Sequence, residues 1–470
     1  MEVSRRKEEV PMPQRDPSDR VENFNEVPLG YDREAALEEA ERCLQCDPAP
    51  CIEGCPVGID IPGFIDGIMN ENFQESIDTI KESNNLPAVC GRVCPQEEQC
   101  QEVCTLGENF EPVSIGRLER FAADWEREHG SVDNSVEGSR DERIAVVGSG
   151  PAGLAAASDL RKLGYEVTVF EQFHQPGGVL VYGIPEFRLP NEVVEREVEN
   201  LKEMGVEIET NTVVGRLFTV DDLLEGTRVD KYDAVFLGTG AGLPYFLDLP
   251  GENLNGIYSA NEFLTRVNLM RAFKFPEYDT PVKIGKRVAT IGGGNVAMDS
   301  ARTALRLGAE SSMVIYRRSE DEMPARDEEI QHAREEGVDF RLLRNPIRFK
   351  GDNGRVEQVE CVEMDLGEPD ESGRPRPVPK EGSEFSLPVD NVIIAIGNSP
   401  HPLIPRTTDG LETSDRGTIK TGSRGRTARE GVWAGGDIVT GAATVIRAMG
   451  AGKTAASDIH GWLSSQDGWK

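Results

Sequence analysis

Eight of the nine cysteines in this 470-residue chain fall between positions 43 and 104. They are spaced Cys43-x2-Cys46-x4-Cys51-x3-Cys55-Pro56, then Cys90-x3-Cys94-Pro95, then Cys100-x3-Cys104. Such spacing lets four thiolates converge on a narrow [4Fe–4S] cube, and a cysteine followed by proline is the form that serves a second cluster. A disulfide framework suits small secreted domains. This chain is long, and its first residues, MEVSRRKEEVPMPQRD, hold no apolar signal segment. Zinc takes four thiolates in two short pairs, whereas here the pairs are unequal and two cysteines precede proline. Iron–sulfur therefore ranks ahead of zinc, and zinc ahead of disulfides.

A length of 470 residues predicts two or three domains with sizeable cores. No run of 18 or more apolar residues occurs, so no membrane span is expected. The formal charge of −32 argues against a nucleic-acid partner, which would demand a basic face. The acid is spread along the chain, Arg outnumbers Lys, and aromatics are sparse. That balance resembles proteins of salt-loving archaea, whose acidic surfaces stay soluble in concentrated salt; an ordinary acidic protein is the alternative. The expected location is the cytoplasm.

Residues 1–30 are polar, contain proline and are expected to be extended. Asp32–Cys43, Ile61–Lys81 and Ser114–Glu128 carry helical spacing around the two cysteine runs. The polar stretch HGSVDNSVEGSRD then reads as a linker and marks the first boundary. Beyond it, Ile144–Val147 is a short buried strand, followed by Gly148-Ser149-Gly150-Pro151-Ala152-Gly153 and a helical run to Leu163. A second strand, Glu166–Phe170, closes on Glu171, with Gln172 beside it. Strand, GxGxxG, helix, strand and acid form the dinucleotide fingerprint: the glycines let backbone approach a pyrophosphate, and the acid accepts from a ribose hydroxyl.

The unit recurs. Arg287–Ile291 is a strand, Gly292-Gly293-Gly294-Asn295-Val296-Ala297 is the glycine turn, and Met298–Leu307 continues as helix. The next strand, Ser312–Tyr316, ends in Arg317 and Arg318 instead of an acid. A carboxylate there would repel a 2′-phosphate, whereas guanidinium groups pair with it, so the first site suits FAD and the second NADPH. Two apolar strands that end in glycine, at Gly240 and Gly397, fit the points where the chain leaves the first nucleotide domain and returns to it. Glu368–Phe385 is expected to be a surface loop within the insert. Near the end, Gly435-Gly436-Asp437 precedes a small-residue helix from Ala443, through Thr444 and Val445. Asp437 is a candidate for the flavin's ribityl chain, and the helix start for its pyrimidine ring.

The segments CLQC, GCP, AVCGRVCPQEEQC, IGRLERF, VGSGPAGL, GGVLVYGIPEFRLP, GGGNVAMD, YRRSEDEMPA and AGGDIVTGAATVI together resemble the small (β) subunit of NADPH-dependent glutamate synthase, from about residue 30 onward. They are similar also to the N-terminal half of dihydropyrimidine dehydrogenase and to the large subunit of NADH-dependent ferredoxin:NADP oxidoreductase. The resemblance implies an α/β fold with two Rossmann-like domains, the NADPH domain inserted into the FAD domain, behind an α-helical iron–sulfur domain. The implied divisions are 1–140 for two [4Fe–4S] clusters, 141–243 and 398–470 for FAD, and 244–397 for NADPH. It implies Cys43, Cys46, Cys51 and Cys104 at one cluster, and Cys55, Cys94 and Cys100 at the other, with Glu119 as eighth ligand and Cys90 as the thiol alternative. Gly177, Gly178 and the Tyr182–Pro190 loop with Arg188 are implied to lie against the flavin.

The expected activity is electron transfer from NADPH through FAD and the clusters to a large subunit that makes glutamate from glutamine and 2-oxoglutarate. The alternative is a ferredoxin:NADP oxidoreductase subunit of the bifurcating type, or a stand-alone NADPH:acceptor oxidoreductase. Partners follow: a large glutamate synthase subunit or a ferredoxin-type redox protein, in a hetero- or homo-oligomer. The five histidines are scattered, and Cys361 is expected to be a buried small side chain.

Overall fold

This computed structural model describes residues 7–370, 373–465 and 469. Helices Arg33–Ala40, Ile61–Met69, Phe73–Ser83, Pro87–Val93 and Ile115–His129 build the first unit. Their starts are legible. Asp32 accepts from the Ala35 N–H at 2.9 Å and Asp60 from the Gly63 N–H at 3.1 Å, while Pro62 and Pro87 occupy first turns. Ile61, Phe64, Ile65 and Ile68 line one buried helix face, which packs with Ile77 and Ile80 of the next helix. Most of the cysteines stand on the short connections between these helices, so helix packing sets where the thiols point.

The chain then alternates strand and helix. The first strands are β1 (Arg143–Val147), β2 (Glu166–Phe170), β3 (Glu207–Glu209) and β4 (Ala234–Leu237). A short β5 (Leu243–Pro244) leads to β6 (Ile257–Ser259), β7 (Arg287–Ile291), β8 (Ser311–Tyr316) and β9 (Asp339–Leu342). Next come β10 (Arg344–Asp352), β11 (Arg355–Pro369), β12 (Pro375–Pro379) and β13 (Phe385–Pro388). The chain returns through β14 (Asn391–Ile394) and β15 (Asn398–Ser399) to β16 (Val432–Ala434). Two parallel five-stranded sheets result, ordered β16-β4-β1-β2-β3 and β6-β14-β7-β8-β9. Their apolar runs are buried because helices cover them, notably Pro151–Lys162, Asn295–Arg306 and Val445–Ser465. The β5–β15 ribbon is where the chain crosses between the two sheets.

Of the stretch Glu368–Phe385, expected as a surface loop, residues 371–372 lie outside the described residues, and 368–369, 375–379 and 385 are strand. β11 runs to Pro369, and both β12 and β13 pair antiparallel with it. Pro375, Pro377 and Pro379 are tolerated because β12 is an edge strand. The N-terminal segment is mostly irregular and lies over the inserted unit: Arg20 pairs with Glu335 at 2.7 Å, and Phe24 stacks on Phe273. Among the described residues no helix is long and apolar enough to cross a membrane.

Candidate functional site

Cys43, Cys46, Cys51 and Cys104 line one cavity, walled by Leu44, Ile61 and Ile65 among others. Burial pushes the Cys51 thiol up to about 11, and neighbouring Cys43, Cys104 and Cys46 reinforce the shift. A second group gathers Cys55, Cys94, Cys100 and Glu119. Burial, then Glu119, Cys55 and Cys94, hold the Cys100 thiol well above its usual range. Glu119 is 5% exposed. Burial lifts it to about 8, although Asn84 Nδ2 donates to its carboxylate at 2.6 Å. Cys90 adjoins this group, next to Cys94, with Asn84 Oδ1 at 3.7 Å and Met449 Sδ at 3.6 Å from its sulfur.

All nine cysteines are free thiols. Among the described residues no three metal-ligating side chains close tightly enough to hold a single ion. Gathered thiols that repel one another when ionised fit iron–sulfur chemistry, whose cationic iron would offset that repulsion.

The first glycine turn is a cradle by the same test. Gly148 has φ 101°, and a Cβ there would lie 2.6 Å from the Gly238 carbonyl oxygen. A Cβ on Gly153 would lie 1.9 Å from the Gly148 oxygen, whereas one on Gly150 would meet nothing within 4 Å. The open position faces the start of the Pro151–Lys162 helix, where backbone N–H groups favour a phosphate, and Ala152 is buried against it. Glu171, 3% exposed, accepts from the Ser149 N–H at 3.1 Å and the Phe173 N–H at 2.8 Å. Gln172 beside it is exposed.

Ser149 Oγ takes the Gly177 N–H at 3.0 Å, which seats Gly177 and Gly178 over the turn. Gly240 adds an open position at φ 69°. Across the cradle, burial raises Asp437 to about 6 while the Ala443 N–H donates to it at 3.2 Å. Thr444 and Val445 follow at the start of the C-terminal helix. Burial, then the charges of Asp437 and Glu171, hold the Tyr182 hydroxyl far above its usual value.

In the inserted sheet, a Cβ on Gly292 would lie 2.2 Å from the Ala395 oxygen, while Gly294 is open apart from Pro324 at 3.8 Å. Asn295 Oδ1 accepts from the Arg326 N–H at 3.0 Å; Val296 is exposed and Ala297 buried. The paired arginines diverge. Arg317 is exposed, but Arg318 is 3% exposed and donates to the Pro375 oxygen at 2.8 Å and to Asp370 at 2.6 Å. Arg188 is taken up by the inserted unit: it pairs with Asp299 at 2.8 Å and Glu329 at 3.0 Å there.

Sequence reasoning overlooked Asn84, Ser149 and Met449. Ser149 stands inside the glycine motif and Asn84 shortly before the second cysteine run, whereas Met449 carries no local signal at all.

Residues 20–131 match the family described as dihydropyrimidine dehydrogenase domain II, 4Fe-4S cluster, and residues 142–452 match pyridine nucleotide-disulphide oxidoreductase. The glutamate synthase [NADPH] small chain of Halomonas elongata is 39% identical, with 94% of each chain covered. The NADP(+)-dependent formate dehydrogenase subunit beta of Moorella thermoacetica is 40% identical over 88% of this chain and 60% of its own length. The structure of Mycobacterium tuberculosis FprA in complex with NADPH shares the fold, with a TM-score of 0.57 and 23% identity over 69% of this chain and 85% of that one. Helical thiol unit, two nucleotide cradles and near-complete alignment together lead to one conclusion: the chain belongs to the glutamate synthase small-chain family, and its larger part to the pyridine nucleotide-disulphide oxidoreductases.

Proposed function

We propose that this chain is the NADPH-oxidising electron-transfer subunit of a glutamate synthase. When bound, FAD supplies hydride acceptance from NADPH, and two [4Fe–4S] clusters supply onward single-electron transfer. The chain's own residues bind and orient these groups. Gly148–Gly153 and the following helix start hold the FAD pyrophosphate, Glu171 its ribose, and Gly177, Gly178, Gly240, Asp437 and residues 443–445 its flavin end. Gly292–Ala297 hold the NADPH pyrophosphate, and exposed Arg317 meets the 2′-phosphate, with Arg318 buttressing the loop behind it. Cys43, Cys46, Cys51 and Cys104 hold one cluster; Cys55, Cys94, Cys100 and Glu119 hold the other.

One observation carries the reading. The first half of the C-terminal helix touches both redox regions. On one side Gly452 abuts the Ala152 backbone of the flavin cradle. On the other, Met449 meets Cys90, Gln99 donates to Thr444 at 3.4 Å, and Gly450 comes up against the Pro56 oxygen. The group of Cys55, Cys94, Cys100 and Glu119 is therefore the entry point for electrons, and that of Cys43, Cys46, Cys51 and Cys104 the exit.

The relatives this chain matches include small chains of glutamate synthase, so glutamate formation is assigned to a large partner subunit. Anaerobically purified chain should reduce an artificial dye with NADPH yet form no glutamate from glutamine and 2-oxoglutarate. Glutamate made by the chain alone would overturn the proposal. A second reading, favoured by the similarity to the Moorella subunit, is the same electron path serving another acceptor. Identification of the subunit that co-purifies under native salt separates the two.

A further inference from the structure

Resting on that reading, the structure also bears on how the nicotinamide end of NADPH is held. In an open parallel sheet a dinucleotide straddles the point where strand order reverses. Here β8 lies on one side of β7 and β14 on the other. Arg317, just past β8, marks the adenosine half. The nicotinamide half then lies toward β14, whose continuation is Ile396 and Gly397.

The segment 242–245 sits between the two cradles on that side. A Cβ on Gly242 would lie 3.8 Å from the hydroxyl of Tyr182, which ends the short helix after Gly177 and Gly178. Three residues on, the Tyr245 N–H donates to the Gly397 oxygen at 3.1 Å. A Cβ on Gly397 would come 3.8 Å from the Tyr245 ring. Hydride transfer requires the nicotinamide to reach from the second cradle to the first, and this span joins them. Tyr245 is 46% exposed, and Leu243, Phe246 and Ile396 are exposed beside it. A cluster of exposed apolar side chains at the mouth of a polar cradle is what a planar, weakly polar ring would cover.

We propose that Tyr245 is a positioning residue for the nicotinamide half of NADPH, its ring forming one wall of that subsite. The aromatic ring matters and the hydroxyl does not, because the ring is the part laid against Gly397.

The test uses holoprotein and two probes, NADP+ and 2′,5′-ADP, titrated calorimetrically; the second probe lacks the nicotinamide half. Tyr245→Ala should weaken NADP+ by roughly fivefold to tenfold, the worth of one aromatic contact, and leave 2′,5′-ADP within about twofold. Tyr245→Phe should match the wild type with both probes. An unchanged NADP+ affinity in Tyr245→Ala, an equal loss of both probes, or a Phe variant as weak as the Ala variant would each overturn the assignment. Failure of the wild type to bind 2′,5′-ADP would instead strike the NADPH reading itself.

Discussion

Arg188, from the loop after Gly177 and Gly178, donates to Asp299 of the second glycine-turn helix at 2.8 Å, and both are buried. The pair belongs to a larger network. Glu329 joins Arg188 to Arg302, Glu336 bridges Arg302 and Arg306, and Phe187 packs its ring under both of those arginines. Removing the Arg188 charge leaves buried Asp299 without its ion-pair partner, while Glu329 keeps Arg302. Arg188→Met should cost roughly 3–5 kcal/mol in unfolding free energy. Denaturant titration of holoprotein checks this; a loss below about 1 kcal/mol, the scale of an exposed pair, would contradict it.

Glu336 gives the network a pH signature. Burial alone would raise its carboxyl, but hydrogen bonds and charge from Arg306 and Arg302 outweigh burial and bring it down to about 2 from 4.5. A folded-state value below the unfolded one means stability that is present above about pH 4.5 and lost as pH falls toward 2. Glu336→Gln should therefore be less stable than wild type at neutral pH by a few kcal/mol, on the order of 3. The gap should shrink across the acid range, as read by paired unfolding curves.

Glu119 and Cys90 compete for the role of eighth cluster ligand, and iron counts separate them. Wild type prepared without oxygen should hold about eight irons per chain. Glu119→Gln should fall toward about four, and Cys90→Ser should stay near eight. The reverse pattern would give the role to the thiol.

The two arginines after β8 should part company in nucleotide choice. Arg317→Ala should weaken NADPH by roughly tenfold to a hundredfold while sparing NADH, since one charge-assisted contact is lost. Arg318→Ala should shift discrimination between the two far less, because its donors already serve Asp370 and Pro375. Steady-state constants for both nucleotides decide it.

Two glycines of the first cradle make a matched pair. Gly150→Ala meets open space at an ordinary backbone angle, so the protein should fold with normal stability yet retain less flavin. Gly153→Ala runs into the Gly148 oxygen and should lose stability as well. Flavin absorbance per chain, alongside a melting curve, distinguishes them.

Where the sequence was readable, short-range rules were enough. The two glycine turns, their strands and the cysteine runs are set by neighbours within a few residues. Arg188 and Arg318 illustrate the opposite case. Both stand in motifs that suggest a ligand, yet their partners, Asp299 and Asp370, are 111 and 52 residues away. The hairpin through Pro375–Pro379 escaped notice because proline and glycine signal loops, and only edge position makes such a strand tolerable.

The N-terminal segment and its neighbours have a mechanical consequence. Arg20 on Glu335, Arg188 on Asp299 and Arg326 on Glu97 clamp the inserted unit to three separate parts of the chain. Any swing of that unit would strip deeply placed cations from their carboxylates, at a penalty of several kcal/mol. Movement of one cradle relative to the other would therefore have to break all three pairs.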